Sequence, residues 1–379
     1  MSATPLNILF YVPFNSRSRD TESLIRHFVK QRHKVWVLTQ AGRGDYHLAC
    51  ERIGAIADTF ELGQVNPIIF FLRQAWHLVS YCRRRKIDVV YAHLEMASFP
   101  AVLAQYFIQA KVFAVRHVID EAYLFKNRNF ILLTRLVYTL ARNVIVVSER
   151  CREFMVQREH VRAEKISVIF LAYYFDLYDP PVVEKVMTIR QENSCRLLLL
   201  TACRLVPPKR PEISIGLVRN LLSRGVDIKL ILLGSGPERE NLLGRIAELG
   251  LEDRVKLAGQ VADIMNYIAA ADVLIHPSLL DSSSVIIKEA GLLQKTVVTC
   301  RDVGDVNEYL VHNKNALLVS RENTLEEMTE WIERIIQNPR QYEILGKNLN
   351  QDIQRRFSID EIIGAYNDIH AGITDHRSH

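Results

Sequence analysis

The sequence predicts an α/β protein built from two doubly wound parallel sheets, each wrapped by helices. Three observations predict it. Short apolar runs alternate with helical patterns along nearly the whole chain, as βαβ units require. At 379 residues the chain is long enough for two ordinary domains with sizeable cores. Near the middle, Asp179-Pro180-Pro181 forms a stiff polar hinge, which divides residues 1–180 from residues 181–357.

In the first half, strands are expected at Asn7–Val12, Lys34–Thr39, Val89–Ala92, Lys111–Val115 and Val144–Val147. Helical patterns lie between them at Thr21–Gln31, Ile68–Arg84, Ala97–Ile108 and Ile131–Ala141. The second half repeats the scheme with strands at Cys195–Ala202, Ile228–Leu233, Val255–Leu257, Val273–His276 and Thr296–Thr299. Its helices are expected near Pro211–Arg224, Pro237–Leu249, Ala262–Ala270 and Ser284–Leu293. A last helical pattern, Ile359–Ala371, is expected to return to the first domain. Ligands of such sheets bind at the carboxyl ends of strands, so two facing units imply a cleft.

Composition narrows the class. Hydrophobic content of 49% and charged content of 24% are those of a soluble globular protein. No 18-residue apolar run without charge is present, and no secretory signal is evident, which points to a cytoplasmic protein. Cys50, Cys82, Cys151, Cys195, Cys203 and Cys300 form no C-x-x-C pair and read as small buried residues. Residues 1–187 hold 25 Lys+Arg against 17 Asp+Glu, net +8, while residues 188–379 hold 23 against 26, net −3. A basic first half suggests an anionic partner or membrane surface. Its segment 66–86, with Trp76 and a terminal Arg83-Arg84-Arg85-Lys86, fits either a helix resting on a bilayer or a core helix with a solvated end. No base-stacking pattern accompanies it, so nucleic acid is not the expected partner.

The most informative stretch is Pro277-Ser278-Leu279-Leu280-Asp281-Ser282-Ser283-Ser284, followed by a helical run that carries Glu289. It is a strand-to-helix turn, and unpaired N–H groups at a helix start favour an anion. Asp281 and Glu289, eight residues apart, would lie about 12 Å apart along a continuous helix. That spacing suits a long ligand held at both ends with phosphate between, such as a nucleotide sugar. An ordinary capped helix with a core-facing Val-Ile-Ile run fits the same residues.

Arg204 and Lys209 flank a proline-stiffened loop after the strand ending at Ala202, where two cations can hold a diphosphate. Gly234-Ser235-Gly236-Pro237 permits close backbone approach to a ligand but lacks the dinucleotide fingerprint. No Asp-x-Asp occurs anywhere. A metal-dependent way to neutralise a leaving diphosphate is therefore unsupported, and the two cations can supply the charge.

Taken in order, these pieces resemble the retaining glycosyltransferases of the GT-B architecture, two Rossmann-like domains facing across a cleft, and specifically glycosyltransferase family 4. The matching segments are Cys203-Arg204-Leu205 with Lys209, Gly234–Pro237, Arg254–Gly259, Pro277-Ser278-Leu279-Leu280-Asp281 with Glu289-Ala290, and Asp302–Leu310. The likeness covers nearly all of residues 196–320. It implies that Arg204 and Lys209 bind the donor diphosphate, Glu289 the ribose, and Asp281 with Ser282, Ser283 and Ser284 the transferred sugar and its phosphate. Gly234 and Gly236 would line the donor site, with Gly259 and Gln260 at the base edge. His117 matches a strand-end histidine beside the donor sugar, and His93 one nearer the acceptor, with Asn15, Ser16 and Arg17 on that side.

Three departures stand out. Asp281 replaces the family's glutamate, Val12–Arg19 replaces a glycine-rich loop, and Leu171–Asp176 replaces an Asn-Gly-x-Asp segment between domains. The loop at 13–19 leaves Arg17 or Arg19 to reach phosphate in place of glycine backbone.

The resemblance implies a metal-independent, hexosyl-type enzyme with no cofactor. A UDP- or GDP-linked sugar would be the donor, and a glycan or lipid-linked hydroxyl the acceptor. Polysaccharide or lipopolysaccharide assembly would be its setting, at the inner face of the cytoplasmic membrane in peripheral contact with anionic lipid. Three rivals remain: a nucleotide-sugar epimerase of the same fold, a nicotinamide-dependent reductase, and a binding protein without turnover.

Overall fold

The computed structural model describes residues 5–63, 65–119 and 128–374. The chain divides into two compact units, Met1–Tyr178 with Phe357–His379 and Asp179–Arg356.

Unit 1 carries strands β1 (Asn7–Val12), β2 (Lys34–Thr39), β3 (Ile56–Thr59), β4 (Val89–His93), β5 (Lys111–Arg116), β6 (Asn143–Val146) and β7 (Ile166–Val168). They pair in the order β3-β2-β1-β4-β5-β6-β7, all parallel. Its helices are α1 (Arg19–Lys30), α2 (Asp45–Arg52), α3 (Pro67–Arg85), α4 (Leu94–Ala104), α5 (Arg128–Leu140) and α6 (Glu149–Gln157).

Alternation along β1 explains the layers, because successive side chains point to opposite faces. Ile8, Phe10 and Val12 meet Leu24, Ile25 and Phe28 of α1. Leu9 and Tyr11 meet Leu78 and Cys82 of α3 and Ala97, Ala101 and Ala104 of α4. The small residues of α4 let it lie close to the sheet. Its neighbour α5 continues that layer with Val137 and Tyr138.

Unit 2 holds β8 (Leu197–Ala202), β9 (Ile228–Leu233), β10 (Val255–Gly259), β11 (Val273–His276), β12 (Thr296–Cys300) and β13 (Leu317–Val319). Their order is β10-β9-β8-β11-β12-β13. Every residue of β8 is buried, as a central parallel strand covered on both faces requires. The helices are α7 (Val183–Glu192), α8 (Pro211–Ser223), α9 (Arg239–Glu248), α10 (Ile264–Ala270), α11 (Val285–Leu292), α12 (Val306–Tyr309), α13 (Thr324–Gln337) and α14 (Pro339–Phe357).

The last helix, α15 (Ile359–Thr374), buries Ile359, Ile362, Ile363 and Tyr366 in the unit 1 core, against the β1 face opposite α3. Among the described residues, no helix is long and apolar enough to cross a membrane.

Both sheets are doubly wound, as expected. Strands β3, β7 and β13 were not anticipated. All three are sheet edges of three or four residues, too short to show a period. The helix expected from Pro237 starts instead at Arg239, because Gly236 at φ +156° and Pro237 stay in the turn. In each sheet the strand order reverses once, between β1 and β4 and between β8 and β11, which opens a crevice at the carboxyl ends.

Candidate active site

In unit 2 the loops after β8 and β11 meet at that reversal. Leu279 N donates to Pro208 O at 2.8 Å, which locks the two loops together. Lys209 Nζ lies 2.9 Å from Asp281 Oδ2 and donates to Leu280 O at 2.8 Å. The expected phosphate cation and the aspartate of the serine-rich turn thus share one point. Arg204 stands exposed on the same β8 loop.

Burial alone would raise the Asp281 pKa. Only together do the Lys209 ammonium and then the His276 imidazole outweigh burial, and they hold the carboxyl far below the usual range. His276 ends β11 and is oriented by Thr299. The Thr299 hydroxyl donates to His276 O at 3.0 Å, so its oxygen accepts from Nδ1 at 3.1 Å. The other ring nitrogen then faces Asp281 at 3.4 Å and Ser284 Oγ at 3.3 Å.

A second ion pair sits beneath the serine turn. Lys288 Nζ donates to Asp305 Oδ2 at 2.7 Å and to Ser283 Oγ at 2.8 Å, and both charged side chains are buried. Ser283 Oγ in turn donates to Asp305. Lys288 also stands 5.0 Å from the centre of the Tyr309 ring. Gly304, at φ +55°, lets the 302–305 turn close on this loop. A Cβ there would lie 2.6 Å from Asp281 O and 2.7 Å from Ser282 O. Ser282 and Ser284 are buried. The start of α11, where first-turn N–H groups lack intrahelical partners, is therefore a rigid element rather than a loose loop.

Glu289 lies one turn further along α11. It is buried, and among the described residues no hydrogen bond or charge compensates its carboxyl. Burial without compensation pushes its pKa up to about 7. Such a carboxyl is suited to meet paired hydroxyl donors from a ligand.

The Gly-x-Gly turn after β9 has a local role. A Cβ on Gly234 would sit 1.8 Å from Cys203 O, and one on Gly236 would sit 2.3 Å from Leu205 O. Leu205 N donates to Ser235 O at 2.9 Å and Gly234 N to Gly259 O at 2.8 Å. The glycines let the turn interlock with the 203–205 backbone, which places the Arg204 loop. Gly259, at φ +74°, ends β10, and Gln260 after it is exposed.

In unit 1 the carboxyl ends of β4 and β5 bring His93 and His117 together. His93 Nδ1 and His117 Nε2 share a hydrogen bond of 2.9 Å. Burial lowers the pKa of both, and the neighbouring His117 lowers that of His93 further. His93 Nε2 is buried with no hydrogen-bond partner. Arg116 holds the loop that carries His117. It pairs with Glu159, both side chains buried, and donates to the carbonyls of Val118 and Ile119 at 2.6 Å.

The 13–19 loop is built differently from its expected use. Arg17 forks onto Glu22 at 2.9 and 2.6 Å, and Arg19 reaches the same carboxylate at 3.0 Å. Both guanidiniums serve the start of α1. Asn15 binds Gly42 O at 2.9 Å, its carbonyl accepts Tyr46 N at 3.0 Å, and Ser16 is exposed. Residues that the sequence reading missed, His276, Lys288, Asp305, Arg116 and Glu22, act through partners in space. Only Arg19 and Glu22, three apart on a helix, left a readable signal.

Two parallel-sheet Rossmann-like units, one with a cationic and carboxylate cluster at its strand reversal, define a protein of the GT-B class. A model of glycosyl transferases group 1 matches residues 183–352, and one of Glycosyltransferase Family 4 matches residues 18–172. The chain belongs to this glycosyltransferase family. It is 26% identical over 248 residues to the phosphatidylinositol N-acetylglucosaminyltransferase GPI3 subunit of Saccharomyces cerevisiae, covering 64% of this chain and 53% of the yeast protein. It is 24% identical over 237 residues to alpha-D-kanosaminyltransferase of Streptomyces kanamyceticus, covering 60% and 61%. The chain thus matches a little over half the length of these relatives. The crystal structure of Anabaena HepE in complex with UDP and glucose superposes with a TM-score of 0.83 at 22% identity, over 97% of this chain and 99% of that one.

Proposed function

We propose that the protein transfers a sugar from a nucleoside diphosphate sugar to a hydroxyl acceptor, with retention at the anomeric carbon and without a metal ion. The observation that carries this reading is the meeting of Lys209 with Asp281 at the head of α11, at 2.9 Å. A diphosphate placed there takes up the Lys209 ammonium, with Arg204 and the first-turn N–H groups of α11 beside it. Asp281 is then freed to accept a hydrogen bond from a sugar hydroxyl. Glu289, one turn along, meets the ribose hydroxyls.

In the reaction the bond from the anomeric carbon to the β-phosphate oxygen breaks, and the acceptor oxygen bonds that carbon on the same face. The acceptor proton passes to the departing phosphate, so no protein nucleophile is needed. Charge grows on the phosphate as the bond breaks, and the fixed cation stabilises that state above the ground state. The absence of any Asp-x-Asp supports a side-chain cation in this role. His117, held by His93 and by the Arg116 loop, is the unit 1 group assigned to the donor sugar.

The acceptor is a glycan or lipid-linked hydroxyl in cell-surface polysaccharide or glycolipid assembly. Relatives named for phosphatidylinositol and for diphospho-undecaprenol substrates support that reading. Thermal shift with UDP-, GDP- and ADP-glucose, and with NADH as control, tests it. One nucleotide sugar should raise the melting temperature and then be turned over. A response to NADH alone, or to no nucleotide sugar, contradicts the proposal.

A further inference from the structure

Arg210 follows Lys209 at the corner between the β8 loop and α8, and its backbone is left-handed, at φ +48° and ψ +46°. A residue with a Cβ adopts that conformation only at a cost. Pro211, the first residue of α8, adds to the constraint, because a proline disfavours the right-handed helical region for the residue before it. Ahead of the corner, Pro207–Lys209 make a single turn of 3₁₀ helix. Lys209 N donates to Val206 O at 3.0 Å and Arg210 N to Pro207 O at 3.1 Å.

The side chain of Arg210 holds this corner. Its half-buried guanidinium donates from Nε to Pro277 O at 2.9 Å. Its terminal nitrogens donate to Arg321 O at 3.1 Å, to Thr324 Oγ1 at 2.8 Å and to Cys300 Sγ at 3.2 Å. Pro277 follows β11, Cys300 ends β12 and Arg321 follows β13. These are successive strands beyond β8 in the sheet, so one side chain ties four carboxyl ends together. Those bonds occupy most of the guanidinium N–H groups, which gives Arg210 to the scaffold and not to a ligand.

Three consecutive residues thus grip the 277–281 loop. Pro208 O accepts from Leu279 N, Lys209 Nζ reaches Leu280 O and Asp281, and Arg210 holds Pro277 O. Lys209 is the one that carries its charge on a flexible stem, and it stands between the two anchors.

We propose that Arg210 is a positioning residue that sets Lys209 Nζ against Asp281, its guanidinium offsetting the cost of the left-handed corner. The proposal rests on the reading of Lys209 as the cation for the diphosphate and adds the group that aims it.

A double-mutant cycle tests it. With whichever of UDP-, GDP- and ADP-glucose the parent turns over, Arg210→Ala should lower kcat roughly 10–10²-fold at nearly unchanged donor KM, as misplacement of a reacting group does. In the Lys209→Ala background the same change should cost less than about twofold, because the two residues act as one unit. Arg210→Gly takes the left-handed φ without strain, so it should keep the fold and lose the same rate. Competitive labelling with acetic anhydride reads the placement without any donor. Lys209 should label several-fold faster in Arg210→Ala than in the parent, approaching its rate in Asp281→Ala, while buried Lys288 stays slow. A parent kcat in either Arg210 variant, an equal loss with and without Lys209, or Lys209 labelling that Arg210→Ala leaves unchanged overturns the proposal. Faster labelling in a protein that turns over no nucleotide sugar removes the transfer reading and leaves the placement of Lys209 standing.

Discussion

In the proposed donor site, Glu289 is the side chain whose charge state should matter most. Its pKa of about 7 comes from burial, with no compensating partner among the described residues. Two ribose hydroxyls donating to it would favour the carboxylate, so binding expels a proton wherever the free carboxyl is still protonated. The sign follows directly. Affinity for a nucleotide sugar, which itself does not titrate there, should rise as pH goes from 5.5 to 7.5 and level off above. Titration calorimetry in buffers of different ionisation enthalpy checks both the trend and the proton release. Glu289→Gln should bind more weakly and show no pH trend. A parent affinity independent of pH would contradict this assignment. At the same scale, the 2.9 Å contact between His93 and His117 needs one ring nitrogen bare, and burial keeps both rings on the neutral side.

Elements explain why motif residues are where they are. Gly234 turns out of β9 at φ +134° so that the turn can lie against Cys203 O. Gly234→Ala combines a clash of 1.8 Å with a strained φ. It should lower stability by more than about 3 kcal/mol, read as a shift in urea midpoint. A near-parent midpoint would show that the two loops do not interlock. The same element scale marks what a linear reading can reach. Strands β1, β2, β9 and β11 begin and end where their apolar runs predict, because buried parallel strands read as continuous hydrophobic stretches. The edge strands were invisible, being short and set by pairing with a neighbour. At the site, Lys209, Asp281 and Glu289 were legible through their spacing to strand and helix ends. The Lys288–Asp305 pair and the Thr299–His276 contact span 17 and 23 residues, and no local pattern carries such pairings. Likewise, Arg17 looked available for phosphate until Glu22 was seen to hold it.

The whole molecule should respond unevenly to acid. Unit 1 buries His33, His93 and His370 and half-buries His117, all with pKa values lowered by desolvation, that of His370 to about 4. His33 Nδ1 accepts from Leu6 N at 3.0 Å and cannot do so once protonated. These groups bind protons when unfolded at about pH 6.5 but resist doing so when folded, so unit 1 loses stability as pH falls from there towards 4. Glu289 acts oppositely in unit 2. Its raised pKa means that the folded state takes up the proton first, and stability rises as pH falls from about 7 towards the ordinary carboxyl value. Hydrogen exchange at pH 7 and pH 5 should show protection falling in β1, β4 and α15 while it holds in β8 and α11. Equal losses in both units would refute this division.

The central claim is that a side-chain cation, not a bound metal, takes the charge of the departing diphosphate. Donor turnover in EDTA by the parent and by Lys209→Ala measures this directly. The parent should keep its full rate in the chelator. The variant should fold normally and turn over about 10²–10³-fold more slowly, as loss of one preorganised group at the developing charge predicts. A parent rate that collapses in EDTA and returns with manganese, or a Lys209→Ala rate equal to the parent's, would contradict the account.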